Sequence, residues 1–148
     1  MKALKDLKIA ICNDHAGYNL KQSLIKKLQE QVADIKDFGC FSTESCDYPD
    51  YAHIMAVEVE KGNFDFGISI CGSGNGINMT VNKHQGIRSA LCWNNEIAAL
   101  ARQHNNANVI ALPERFISEE EGYEMVHIFL TTDFEGGRHQ RRVEKISC

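Results

Sequence analysis

Five short apolar runs recur along the chain, at residues 8–12, 33–38, 64–71, 87–92 and 108–112, with helix-like segments between them. The runs read as near-continuous apolar stretches rather than strict alternations, so each strand expects burial on both faces. Strands that alternate with helices point to a parallel sheet with helices packed on either side. The expectation is an α/β fold: a Rossmann-like three-layer sandwich with a five-stranded parallel sheet, plus a C-terminal helix. A chain of 148 residues fits one domain, taken as residues 1–148, and can bury roughly two-thirds of its unfolded surface.

The helical segments carry their own signals. Leu20, Leu24, Ile25 and Leu28 predict a helix over 17–30, and Ala52, Met55, Ala56 and Val59 one that ends at Gly62. Residues 42–50, which contain Pro49, read as a loop, with Asp50 as the expected N-cap of that second helix. A third helix starts near Ile77, and Asn94 or Asn95 caps a fourth that runs through Arg102. Ser118 followed by Glu121 resembles a capping box for a helix to Thr131, and residues 138–146 form a last basic helix.

Charge and targeting signals exclude several classes. A net charge of −4 gives no general affinity for nucleic acid. No apolar run approaches the roughly 20 residues that span a bilayer, and the first residues lack a signal-peptide core. A cytoplasmic location is expected, with the six cysteines as thiols. No CxxC pair and no zinc-finger spacing occurs, so no metal site is expected.

In open parallel sheets, ligands bind beyond the carboxyl ends of the strands. That rule selects residues 13–15, 71–76, 92–95 and 112–115. The second of these, Cys71-Gly72-Ser73-Gly74-Asn75-Gly76, joins a strand to a helix. Its glycines let backbone N–H groups turn toward an anion, and a cysteine at the mouth of such a pocket sits where negative charge is favoured. Dinucleotide-binding and Walker loops need glycines or a lysine at positions this loop does not supply, and the arginine of a cysteine phosphatase is replaced by Ile77. Plainer readings exist for each cluster: a tight turn at the glycines, a helix cap at Asp14 beside an exposed His15, a solvated loop over 103–106, and a solvated basic surface at Arg138, Arg141 and Arg142. Taken together, the clusters offer an anion loop with a thiol, a carboxylate, histidines and paired arginines, an inventory suited to a small phosphorylated substrate.

The same residues resemble one family. Asp14-His15-Ala16-Gly17, Asp47-Tyr48-Pro49, Ile70-Cys71-Gly72-Ser73-Gly74, Asn82-Lys83, Gly86-Ile87-Arg88, Ala101-Arg102-Gln103-His104-Asn105, Ala107-Asn108-Val109 and Gly136-Gly137-Arg138-His139-Gln140 are similar, in order and spacing, to the type B ribose-5-phosphate isomerases. The resemblance implies a cofactor-free aldose–ketose isomerase of the pentose phosphate pathway, interconverting ribose 5-phosphate and ribulose 5-phosphate through a cis-enediolate. It implies Cys71 as the base that moves the proton between C1 and C2, His104 as the group that opens the furanose ring, and Ser73 as an aid to catalysis. Asp14, Tyr48, Asn75 and Asn105 would line the sugar site. The amides of Gly72, Gly74 and Gly76 would stabilise the enediolate, and His15, Arg115, Arg138 and Arg142 would hold the phosphate. A homodimer or dimer of dimers with shared active sites is implied as well. Alternatives are the same chemistry on a six-carbon sugar phosphate, such as allose 6-phosphate or galactose 6-phosphate, and a non-catalytic sugar-phosphate binding module.

Overall fold

The computed structural model describes residues 1–148. Strand β1 (Lys8–Asn13) leads into helix α1 (Tyr18–Leu28), β2 (Asp34–Asp37) into α2 (Tyr48–Glu60), and β3 (Phe66–Cys71) into α3 (Asn75–Val81). Strand β4 (Ser89–Leu91) then leads into α4 (Asn95–Asn105) and β5 (Val109–Pro113) into α5 (Glu119–Thr131), before the short α6 (Arg138–Val143). Every strand pairing is parallel, in the order β2-β1-β3-β5-β4. The three-layer expectation holds. One face of the sheet buries Ile9, Ile11, Phe66, Ile68, Ile70, Ile110 and Leu112 against α1, α4 and α5, in a cluster of 20 buried residues. The other face buries Ala10, Cys12, Cys71, Val109 and Ala111 against α2 and α3, in a cluster of 13. Burial on both faces is why the central strands β1, β3 and β5 read as unbroken apolar runs.

Local departures from the expectations have physical causes. Helix α2 begins at Tyr48 rather than after Asp50, because Pro49 fits the first turn, where its missing N–H is not needed. Asp47 takes the N-cap position but makes no side-chain cap bond. Asn94, not Asn95, caps α4: its Oδ1 accepts from the Ile97 N–H at 2.9 Å. The capping box at Ser118 is complete, with bonds of 3.1 and 2.7 Å. Strand β4 keeps only three half-buried residues, as suits an outer strand paired on one side, and the last helix ends at Val143. The register pairs Gly67 with Val109 and Cys71 with Pro113, so Cys71 stands at the carboxyl edge of the sheet.

Candidate active site

At that carboxyl edge the chain folds tightly around the end of β3. Gly74 adopts a left-handed conformation with φ of 75°, which a residue with a Cβ rarely takes. The turn lets the Gly74 N–H donate to Cys71 Sγ at 3.1 Å. Ser73 Oγ accepts from the Asn75 N–H at 3.3 Å, which leaves both side chains exposed at the mouth of the loop. A Cβ added to Gly76 would lie 2.7 Å from the Tyr48 hydroxyl, and one added to Gly72 would lie 3.1 Å from Arg115 Nε. Tyr48 and Arg115 therefore flank the loop closely on two sides. The Arg115 N–H also donates to the Gly72 carbonyl at 3.1 Å, fixing the turn after β5 against the loop after β3.

Asp14 and His15 belong to the same edge. The Asp14 N–H donates to the Ile70 carbonyl at 3.0 Å, and Asp14 Oδ1 accepts from the N–H groups of Ala16 and Gly17. The helix-cap reading of Asp14 is thus realised, and the cap fixes its carboxylate beside the end of β3. His15 Nδ1 accepts from the Cys46 N–H at 3.3 Å. An accepting Nδ1 places the ring proton on Nε2, which is left as a donor.

The sulfur itself is less open than the sequence suggests. Cys71 is only 4% exposed, and none of the cavities of this chain is lined by it. The open pocket expected in front of the thiol is therefore not seen in this chain. Elsewhere burial disfavours the thiolate. It pushes the Cys12 thiol far up and that of Cys92 up to about 12. Cys46 is raised to about 11, first by burial and then by the nearby Cys40 thiol.

The remaining predicted residues lie elsewhere. Helix α4 starts beyond the carboxyl end of β4 and must run back to feed the amino end of β5, so its last residues, His104 and Asn105, reach the opposite edge of the sheet. The Asn105 carbonyl there accepts from Arg88 Nε at 3.2 Å, just before β4. The length of β5 alone, four steps of strand or about 13 Å, separates this level from that of Cys71. Helix α6 packs on α4 and brings Arg138 and Arg142 to the same place, one turn apart and exposed, with Arg142 donating to the Arg138 carbonyl at 3.3 Å. The predicted site thus falls into two groups. Asp14, His15, Tyr48, Gly72, Ser73, Gly74, Asn75, Gly76 and Arg115 gather around Cys71, while His104, Asn105, Arg138 and Arg142 gather at the far edge.

Sequence reasoning missed two residues of the second group. The His139 ring stacks on His104 with centroids 4.2 Å apart and planes within 9°. The Glu135 carboxylate lies 3.6 Å from His139 Nε2 and 3.9 Å from His104 Nε2. The spacing of Glu135 and His139, four residues apart, was the available signal. Two histidines and a carboxylate are metal-ligand types, and their ligand atoms lie within 4.8 Å of one another. An ion bound by imidazole lies in the plane of its ring, and two parallel planes about 4 Å apart cannot both contain it. The stack instead packs the His104 ring against His139.

Known proteins share this architecture. The family described as Ribose/Galactose Isomerase matches residues 9–146. Ribose-5-phosphate isomerase B of Escherichia coli is 43% identical over 141 residues, which cover 95% of this chain and 95% of that protein. The crystal structure of a ribose 5-phosphate isomerase from Thermotoga maritima is similar with a TM-score of 0.92 at 44% identity, covering 95% of this chain and 97% of that one. That of ribose-5-phosphate isomerase B from Mycoplasma genitalium, with bound ribulose 5-phosphate, has a TM-score of 0.89 at 44% identity and covers 94% and 93%.

Proposed function

Because the chain belongs to the ribose/galactose isomerase family, we propose that it interconverts ribose 5-phosphate and ribulose 5-phosphate by proton transfer. Names among its relatives support the five-carbon substrate, as does the ribulose 5-phosphate bound in the Mycoplasma genitalium structure. The observation that carries the site is the Gly74 N–H held on Cys71 Sγ, which fixes the sulfur against the glycine loop.

The reaction needs one base that removes a carbon-bound proton and returns it one carbon away. In this reading Cys71 takes the proton from C2 of the open-chain aldose, and the electrons move onto O1 as the C1–C2 double bond of the enediolate forms. The Gly74 amide of the predicted trio holds the sulfur, while those of Gly72 and Gly76 face the charge that develops, where fixed dipoles stabilise it without reorganising. The sulfur then returns the proton to C1, and the hydroxyl proton passes from O2 to O1. Ser73 and Tyr48 position the sugar, with Asn75 at the rim and Asp14 on a ring oxygen or hydroxyl. The Nε2–H of His15 and the guanidinium of Arg115 bind phosphate at the far end of the sugar, and this remote binding energy orients the reacting carbons.

His104 serves ring opening only if it reaches the sugar, and its own chain holds it at the opposite edge of the sheet. A second copy supplies it. In a two-fold dimer, the far-edge group of one copy, His104 and Asn105 with Arg138 and Arg142, covers the Cys71 edge of the other. The two guanidiniums complete the phosphate site, and the covering copy closes the cavity that one chain leaves unformed.

Complementation tests both proposals. Cys71→Ala and His104→Ala proteins are each inactive alone. When they are unfolded, mixed and refolded together, half of the dimers are mixed and each holds one intact site of two, so about a quarter of wild-type turnover returns. No recovery in mixed dimers verified by mass would overturn the shared site, and an active Cys71→Ala protein would overturn the assigned base.

A further inference from the structure

A second pair of histidines lies outside the site. His53 on α2 and His84, in the turn after α3, meet with Nδ1 of His53 2.8 Å from Nε2 of His84. Behind His84, its Nδ1 faces Glu60 Oε2 at 3.5 Å. Glu60 is itself anchored, since its Oε1 accepts from the Gly86 N–H at 2.6 Å. This is a backed arrangement: carboxylate, imidazole, and then a nitrogen aimed at a second imidazole.

The protonation states follow from the contacts. Glu60, 3.5 Å behind it, favours the His84 ring proton on Nδ1, which leaves a lone pair on Nε2. His53 therefore donates from Nδ1 in the free protein. If His53 shifts that proton to its solvent-facing Nε2, both facing nitrogens become lone pairs with no net change in charge. The two rings are tilted by 55°, so their planes intersect, as the planes of two imidazoles sharing one ion must. The stacked His104 and His139 rings do not allow this. Tetrahedral coordination with metal–nitrogen bonds of 2.0–2.1 Å sets the two nitrogens about 3.3 Å apart, so the pair must open by about 0.5 Å. His53 is exposed and free to make that adjustment. A carboxylate that holds the outer nitrogen of a ligating histidine is the arrangement that fixes ring orientation and raises basicity at metal centres.

We propose that His53 and His84, oriented by Glu60, form a binding site for a borderline divalent transition-metal ion of the zinc, cobalt or nickel class, with water in the open positions. The ion replaces the proton between the rings and ties α2 to the turn after α3.

The test is titration of the full-length protein with Co²⁺, followed by calorimetry and by the visible bands of the bound ion, with thermal melting alongside. Wild-type protein is expected to bind Co²⁺ and to melt higher with it. His53→Ala and His84→Gln are each expected to weaken binding at least tenfold and to abolish the rise in melting temperature. Glu60→Gln is expected to weaken binding by about 10- to 100-fold, the usual effect of losing such a partner. His53 is exposed, so His53→Ala should melt like wild type without metal, which separates lost ligation from lost folding. Equal binding by wild type and both histidine variants would place the ion elsewhere, for instance on the thiols, and overturn the proposal. Absence of wild-type binding up to about 1 mM, the weak end of specific affinity, would overturn it too.

Discussion

Cys71, the base in the proposed reaction, is nearly buried. Its side chain packs with Ala10, Cys12 and Ala111 under α3, while its sulfur accepts the Gly74 N–H. Replacing it by alanine removes little volume, so the fold should survive. Turnover should fall by about 10²- to 10⁴-fold, the usual worth of a positioned acid–base group. Substrate affinity should change little, and calorimetry with ribose 5-phosphate on the folded variant measures it. Thiol labelling should separate the six cysteines in the same way. Exposed Cys148 should react first, whereas buried Cys12 and Cys92 should stay unmodified until the protein unfolds, as mass spectrometry of alkylated peptides would show. The positions of these residues in the fold were partly legible in the sequence. The strand-to-loop position of Cys71 and the cap at Asp14 follow from local sequence. The stacking of His139 on His104 does not, because it depends on where α6 packs.

At the scale of elements, the most consequential join is the one between α4 and β5, and Arg102 holds it. Its guanidinium donates to the Ala107 carbonyl at 2.5 Å, to Asn106 Oδ1 at 2.9 Å and to the Thr132 carbonyl at 3.3 Å. It also lies over the Phe66 and Phe129 rings, 4.8 and 5.7 Å from their centroids. Sequence reading ends a helix at Arg102, just before a polar stretch over 103–106 read as solvated loop, and gives Arg102 no structural role. The structure buries it, because three acceptors and two aromatic faces offset its lost hydration. Arg102→Leu keeps the bulk but strands those acceptors, and should cost about 2–4 kcal/mol in denaturant unfolding. Misplacement of His104, two residues on, should lower turnover further in whatever fraction remains folded. The helix and strand order was readable because periodicity and capping are local. The short β4 and the early start of α2 were not, since one depends on having a single neighbour and the other on how Pro49 is used.

For the whole molecule, the far-edge group sets a pH dependence. Burial, then the nearby His104, Arg138 and Arg142, hold the His139 imidazole below its ordinary value of 6.5. About a unit or more above pH 6.5 both the folded and unfolded chains carry this ring neutral, and stability is undiminished. As the pH falls below that value the unfolded chain takes up the proton first, so stability drops until the folded ring also titrates. Melting temperature should fall between pH 7.5 and 5.5, and His139→Gln should flatten that slope. The sequence showed a parallel sheet and the residue types of a sugar-phosphate site. It could not show that one chain holds them at two ends, since that follows from the return path of α4 across the sheet. This path has a plain consequence. If each catalytic centre is assembled across a two-fold axis, perfectly folded chains kept too dilute to meet would be silent, and output per milligram would climb as protein is added until every subunit has found another.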